Sequence, residues 1–219
     1  MPTLSIDPSL KQKCPRTALG LVTADVKVEE NSPPLLDEMQ QCERAILALP
    51  EPRVLLESSK ILATRAGYKA LGKDPARYRG SAEALIRRIL SGKHFPRINT
   101  VVDIINLLSV ESRLPIGLYD LAQVKGALSF RVGRAGETYK GIGKYDLNLE
   151  DLAVFSDDLG PHGSPTSDSE RTMVTPSTKQ VLAISVSFGG PENLDRFMER
   201  MSLLLAAHAS GKNFAFVVI

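Results

Sequence analysis

The sequence predicts an α+β domain. Helical periodicity dominates the first half, short strand-like runs dominate the second, and the two never alternate in the regular order of a doubly wound sheet. The chain has 219 residues, 43% hydrophobic and 24% charged, and contains no internal repeat or low-complexity tract. A chain of that size can bury about 70% of its unfolded surface, enough for one substantial core.

Thr17–Glu29 alternates apolar and polar residues with β-branched side chains and reads as a strand, broken by Ser32-Pro33-Pro34. Helices follow over Asp37–Leu49 and Ser58–Leu71, ended by Pro50 and Gly72. A basic connector, Lys73 to Arg79, leads to a helix over Ala82–Leu90. Ser81 is its expected N-cap; Leu85, Ile86, Ile89 and Leu90 face inward and Arg87 and Arg88 outward. The next helix, about Thr100 to Val110, is apolar apart from Asp103 and Asn106, which share one face. These two either clamp a neighbouring loop or line a site, because a buried polar group left unpaired costs about 1–3 kcal/mol.

After Leu114-Pro115, strands are expected at Gly126–Val132, Glu137–Gly141, Leu152–Ser156 and Gln180–Phe188. A helix over Pro191–Ala209 follows, with Met198 and Met201 as core filler, and a strand over Asn213–Ile219 closes the sequence. Between them, Asp157–Thr178 is 22 residues rich in Gly, Pro, Ser, Thr and acid, and is expected to be a structureless loop. Loops this long are usually functional or disordered. Met173 and Val174 are expected to anchor part of it to the core.

Composition narrows the chemistry. Cys14 and Cys42 are too isolated for a disulfide framework and are expected to be reduced. His94, His162 and His208 lack metal-ligand spacing, so neither a metal nor a cofactor is expected. No apolar run approaches the ~20 residues that cross a bilayer. The first residues, Met1-Pro2-Thr3-Leu4-Ser5-Ile6-Asp7, have no signal-peptide pattern, so a cytoplasmic location is expected. Gly141-Ile142-Gly143 lacks the rest of a nucleotide fingerprint and reads as a turn; no Gly-x-Ser-x-Gly elbow occurs. His162 stands near serines in the polar loop, but closeness in sequence does not make a dyad. What remains is a site of Asn, Thr, Glu and Arg, suited to positioning a substrate and a water.

The net charge of +2 hides a segregation. Residues 53–97 hold eleven Lys or Arg against Glu57, Asp74 and Glu83, whereas residues 98–170 hold six basic and eleven acidic residues. This describes either a positive face that attracts a polyanion or a set of solvated helix surfaces. The working surface is expected where Ile98–Asn106 meets Asp157–Thr178.

The stretch from Pro96 to about Val186 resembles the editing domain of the bacterial phenylalanyl-tRNA synthetase beta chain, the B3/B4 module. Ile98-Asn99-Thr100-Val101-Val102-Asp103-Ile104-Ile105-Asn106 looks like that family's Ile-Asn-Asn-Val-Val-Asp-x-Thr-Asn signature. Leu114-Pro115-Ile116-Gly117-Leu118-Tyr119-Asp120 follows, where the family has Gln-Pro-Leu-His-Ala-Phe-Asp. Gly126 to Arg131 with Gly136-Glu137 matches its Gly-x-x-x-x-Arg strand and Gly-Glu turn, and Val174 to Val181 its next strand entry. Tyr68 to Arg88 is similar to the front part of free-standing proteins with this domain.

The resemblance implies one B3/B4-like domain over 1–219, with a helical, basic front part (1–95) and an editing-module core (96–219). Its fold would be a layered β-sandwich with packed helices. It also implies hydrolysis, in trans, of the ester of a mischarged tRNA. Asn99 and Thr100 fall on the pocket-lining part of the motif, and Glu170 on the loop glutamate that recognises a tyrosine hydroxyl. Two positions depart: Gly117 stands where the family has a pocket histidine, and Asp168-Ser169 where it has Gly-Gly. Thr100, Glu170 and Asp168 are the catalytic candidates; Asn99, Gly117, His162, Arg171 and Thr172 are the substrate-binding ones. Arg171 would hold a phosphate or pair with Asp168. An activated ester needs mainly an oriented water and a held oxyanion. Lys73, Arg77, Arg79, Arg87, Arg88, Lys93 and Arg97 would contact tRNA phosphates near the acceptor end. A non-catalytic tRNA- or protein-binding module of the same fold, or a binder of a small amino-acid-like ligand, would use the same surfaces.

Overall fold

The computed structural model describes residues 1–143 and 145–219. Its elements run β1 (Leu4–Ile6), α1 (Pro8–Lys13), β2 (Ala18–Asp25), α2 (Pro33–Leu47), α3 (Ser59–Ala70), α4 (Ser81–Leu90), α5 (Thr100–Ser112), β3 (Ile116–Asp120), β4 (Leu128–Val132), β5 (Thr138–Lys140), β6 (Asp146–Asn148), β7 (Ala153–Asp157), β8 (Gly160–Gly163), β9 (Gln180–Ser187), α6 (Leu194–His208) and β10 (Lys212–Val218). The α+β reading holds, and the layers are helix, sheet and sheet.

One sheet has the order β10-β2-β9-β3 and is antiparallel throughout; the other has the order β1-β4-β7-β8, with β1 parallel to β4. Strand periodicity sorts the central strands between two cores. Val22, Ala24, Val181 and Ala183 face the helices, meeting Ile104, Leu107, Phe197 and Met201. Leu19, Leu21, Leu182 and Ile184 face the second sheet, meeting Leu128, Phe130, Ala153 and Phe155. β2 therefore lies at the centre of the sandwich although it comes from the helical first part of the sequence. Among the described residues no helix is long and apolar enough to cross a membrane. Cys14 and Cys42 are free thiols, with burial raising both pKa values.

Several boundaries move. α2 starts at Pro33, the residue expected to break the chain, because proline at the first helical position sacrifices no intrahelical hydrogen bond. Ser81 is not the N-cap of α4. Gly80 is, and the Ser81 hydroxyl instead accepts from Ile116 N–H at 3.3 Å. β3 was not expected as a strand at all. The polar segment 157–178 is ordered rather than structureless: it ends β7, forms β8, bridges back through Gly163 and Asp168, and makes a short 3-10 turn at Glu170–Thr172. Val174 packs on the helix-side core as expected, but Met173 is 37% exposed and anchors nothing.

Candidate functional site

Three tyrosines from distant parts of the chain hold the loop. Tyr68 on α3 shares a hydrogen bond with Thr166 Oγ1, Tyr139 on β5 donates to Ser167 O, and Tyr119 on β3 donates to Asp168 Oδ1 at 3.0 Å. All three rings are buried. Asp168 Oδ2 also accepts Leu118 N–H at 3.1 Å, so its carboxylate seals the edge of β3 that faces away from β9. Burial, then the Asp168 charge, pushes the Tyr119 phenol well above its ordinary pKa, and it stays a neutral donor.

Tyr119 fills the slot between the two edge strands. A Cβ built on Gly117 would lie 2.1 Å from the Tyr119 oxygen, and one on Gly163 would lie 2.2 Å from it. A histidine at position 117 and Tyr119 in this pose exclude each other. His162 stacks edge-on against the Tyr119 ring, 4.6 Å between centroids, and is fully buried. Burial lowers its pKa to about 4, with the nearby Arg171 charge adding to that and Asp157 opposing it. The imidazole is thus neutral. Its Nδ1 lies 3.5 Å from Thr172 Oγ1, while its Nε2 and the buried Ser169 hydroxyl have no hydrogen-bond partner among the described residues. The two residues are backbone neighbours through Ser169 N–H to His162 O.

The other candidates have structural roles here. Arg171 pairs with Asp157, not with Asp168: its two terminal nitrogens reach the Asp157 carboxylate at 2.8 and 3.1 Å and also donate to Gln123 O and Gly160 O. A guanidinium committed to four acceptors has little left for a phosphate. Asn99 caps α5 by accepting Val102 N–H at 3.0 Å. Thr100 is fully buried, with its hydroxyl accepting Glu29 N–H and its own N–H donating to Glu29 O. Asp103 accepts Ile98 N–H, a clamp on its own helix start rather than on the loop. The polar groups of Asn99, Thr100 and Asp103 therefore bond away from Glu170, which is half-exposed and pairs with exposed Lys140 at 2.8 Å. The expected meeting of helix start and loop is made by Val174 in the shared core, not by these polar groups.

A cleft of about 540 Å³ opens between α3, the 73–79 connector and α4, lined by Arg65, Lys69, Asp74, Arg79, Glu83 and Arg87 together with Leu62, Ala66, Pro75 and Ala76. Of the seven basic residues singled out from sequence, Arg79 and Arg87 meet here. Lys93 and Arg97 line a second cleft with Arg44, Glu43 and His94. Arg88 donates to His94 O, and Lys73 sits over the Tyr78 ring. Arg65, Lys69 and Glu83 entered the sequence reading only as part of the charge count; the i,i+4 pairs Arg65/Lys69 on α3 and Glu83/Arg87 on α4 were the available signal. The cleft abuts the loop: Ser81 N–H, at the start of α4, donates to Pro165 O at 2.9 Å.

Residues 63–201 match the model of the B3/4 domain, more than half of the chain. The chain belongs to the B3/4 domain family. The phenylalanine–tRNA ligase beta subunit of Brucella abortus (strain 2308) is 35% identical over 65 residues, 29% of this chain and 8% of that protein. The corresponding subunit of Bartonella henselae is 31% identical over 87 residues, 39% of this chain and 11% of that protein. The matched stretches thus span about a tenth of those relatives. An N-terminal fragment of the phenylalanyl-tRNA synthetase beta-subunit from Pyrococcus horikoshii superposes with a TM-score of 0.51 at 16% identity, covering 99% of this chain and 53% of that one. This B3/4 domain shares that fold.

Proposed function

We propose that this B3/4 domain binds the acceptor end of a tRNA, with phosphates on the basic surface of α3 and α4 and the 3′ end directed to the loop 157–178. The reading is carried by the junction of the two features: the start of α4, beside the cleft that Arg65, Lys69, Arg79 and Arg87 line, is bonded through Ser81 to Pro165, and both residues lie inside the B3/4 family match. Glu170, half-exposed on the loop with Lys140 beside it, is the carboxylate for an α-ammonium. Binding without hydrolysis fits this conformation best, because Tyr119 fills the slot beside Gly117 and because Thr100, Asp168 and Arg171 are committed to internal hydrogen bonds.

Hydrolysis of a mischarged aminoacyl ester in trans is the second reading. It draws support from His162 Nε2 and Ser169 Oγ, buried polar atoms of the loop with no hydrogen-bond partner among the described residues. Such atoms are costly unless something else meets them.

A panel of correctly and wrongly charged tRNAs separates the two. Binding that weakens when Arg87 and Arg88 are both changed to Ala, with ester loss at the spontaneous rate throughout, is the expected result. Ester loss above that rate, abolished by Glu170→Ala, would replace the first reading with the second. Absence of binding to every tRNA would sink both.

A further inference from the structure

Glu83 lies on α4 with only 4% of its surface exposed, and it organises three guanidinium groups. Its Oε1 accepts from Arg65 Nη2 and from Arg87 Nε, both at 2.7 Å; its Oε2 accepts from Arg65 Nε at 2.9 Å; Arg79 Nε stands 3.9 Å from Oε1. Burial alone would raise the Glu83 pKa, but the Arg65 and Arg87 hydrogen bonds outweigh it and hold the carboxyl below its ordinary value. Apart from Arg65 Nη2, the Glu83 bonds use the inner Nε nitrogens. Nη1 of Arg65 and both terminal nitrogens of Arg79 and Arg87 make no other hydrogen bond among the described residues, and these side chains line the 540 Å³ cleft beside Lys69. Four cations there face two carboxylates, and Asp74 already accepts Ala76 N–H at 2.9 Å in its own turn. The surplus is positive, and part of it is held fixed.

We propose that this cleft is a seat for one RNA phosphodiester, with Arg65, Lys69, Arg79 and Arg87 as donors and Glu83 as the positioning residue; the assignment rests on the tRNA reading above. Several forked donors converging on one space suit a group with several acceptor oxygens, and guanidinium planes held in place match phosphate geometry. A carboxylate of an acidic protein would be met by a single fork. The volume is that of a small-ligand site, and Leu62, Ala66, Pro75 and Ala76 give the sugar an apolar wall. A strand leaving the seat past Arg79 and Gly80 reaches Ser81, which is bonded to Pro165 of the loop.

The test uses deacylated tRNA and the full chain. Glu83→Gln raises the net charge by one, so if total charge alone governed binding the variant would bind as well as the wild type or better. The seat requires the opposite, because the amide oxygen can hold only one fork: affinity falls roughly tenfold and the salt dependence of binding becomes shallower. Circular dichroism establishes that the variant is folded. Arg79→Ala, an exposed change that leaves the Glu83 bonds to Arg65 and Arg87 in place, weakens binding by a similar factor, while Arg53→Ala, outside the cleft, does not. If Glu83→Gln fails to fold, the contrast between Arg79→Ala and Arg53→Ala decides. Unchanged or tighter binding by folded Glu83→Gln, or equal effects of the two arginine variants, overturns the seat while the wild-type chain still binds tRNA. A wild-type chain that binds no tRNA overturns the underlying reading as well.

Discussion

Tyr119 meets four neighbours at once: its ring lies against His162, its edge fits between Gly117 and Gly163, and its hydroxyl donates to Asp168. Tyr119→Phe keeps the ring and removes the donor, leaving a carboxylate oxygen short of one bond. A loss of about 1–2 kcal/mol in unfolding free energy is expected in urea titrations. His162 supplies a pH signature. Its folded pKa of about 4 lies below the ordinary 6.5, so between these values the unfolded chain binds the extra proton. Stability from this group is complete above pH 6.5 and is lost as pH falls toward 4, on the order of 3 kcal/mol in total. The lowered carboxyls of Asp157, Glu83 and Glu137 act further down, as pH falls through their depressed pKa values. The slope between pH 6.5 and 5 is therefore chiefly that of His162, and His162→Gln flattens it in equilibrium unfolding followed across pH. A slope that persists in the variant would assign it to other groups.

At the scale of elements, β3 and β8 are edge strands kept apart by one side chain. Gly163→Ala puts a methyl where the Tyr119 oxygen stands, and the strands or the ring must move. The single change is expected to destabilise by about 1–3 kcal/mol, whereas in a Tyr119→Ala background its added cost nearly vanishes. A double-mutant cycle by thermal or urea unfolding reads that coupling, and additive effects would mean that the two positions do not compete for one slot. This pairing also marks what the sequence could reveal. α3 to α6 were legible because apolar residues recur at helical spacing between recognisable ends, and β2 and β9 because their runs are β-branched and apolar. β3 was missed because Pro115 and Gly117 weaken a five-residue strand signal. The order in 157–178 was invisible for another reason: it comes from hydroxyls of Tyr68, Tyr119 and Tyr139, which are distant in sequence and leave no mark in the loop's own composition. The polar composition of the loop was legible; the internal partners of Thr100, Asp168 and Arg171 were not.

For the molecule as a whole, a net charge of +2 predicts little attraction to nucleic acid, and the distribution of charge predicts more. The count of eleven cations in residues 53–97 overstates the binding surface, because Arg88 is bonded to a backbone carbonyl, Lys73 lies over the Tyr78 ring, and Lys93 and Arg97 line a separate cleft. If binding followed that raw count, log Kd would change with log salt at a slope near ten. With Arg65, Lys69, Arg79 and Arg87 converging on one phosphodiester, the seat neutralises one phosphate and contributes about 0.7–0.9 to the slope. Between 50 and 200 mM salt the seat accounts for a loss of roughly threefold in affinity for deacylated tRNA. Removing Arg79 loosens the hold on that phosphate and should lower the seat's share of the slope while the other donors keep part of it. Fluorescence anisotropy over a salt series measures both quantities. A slope near ten would mean that the basic face binds as a diffuse charged surface, and a slope near zero that it does not meet phosphate at all.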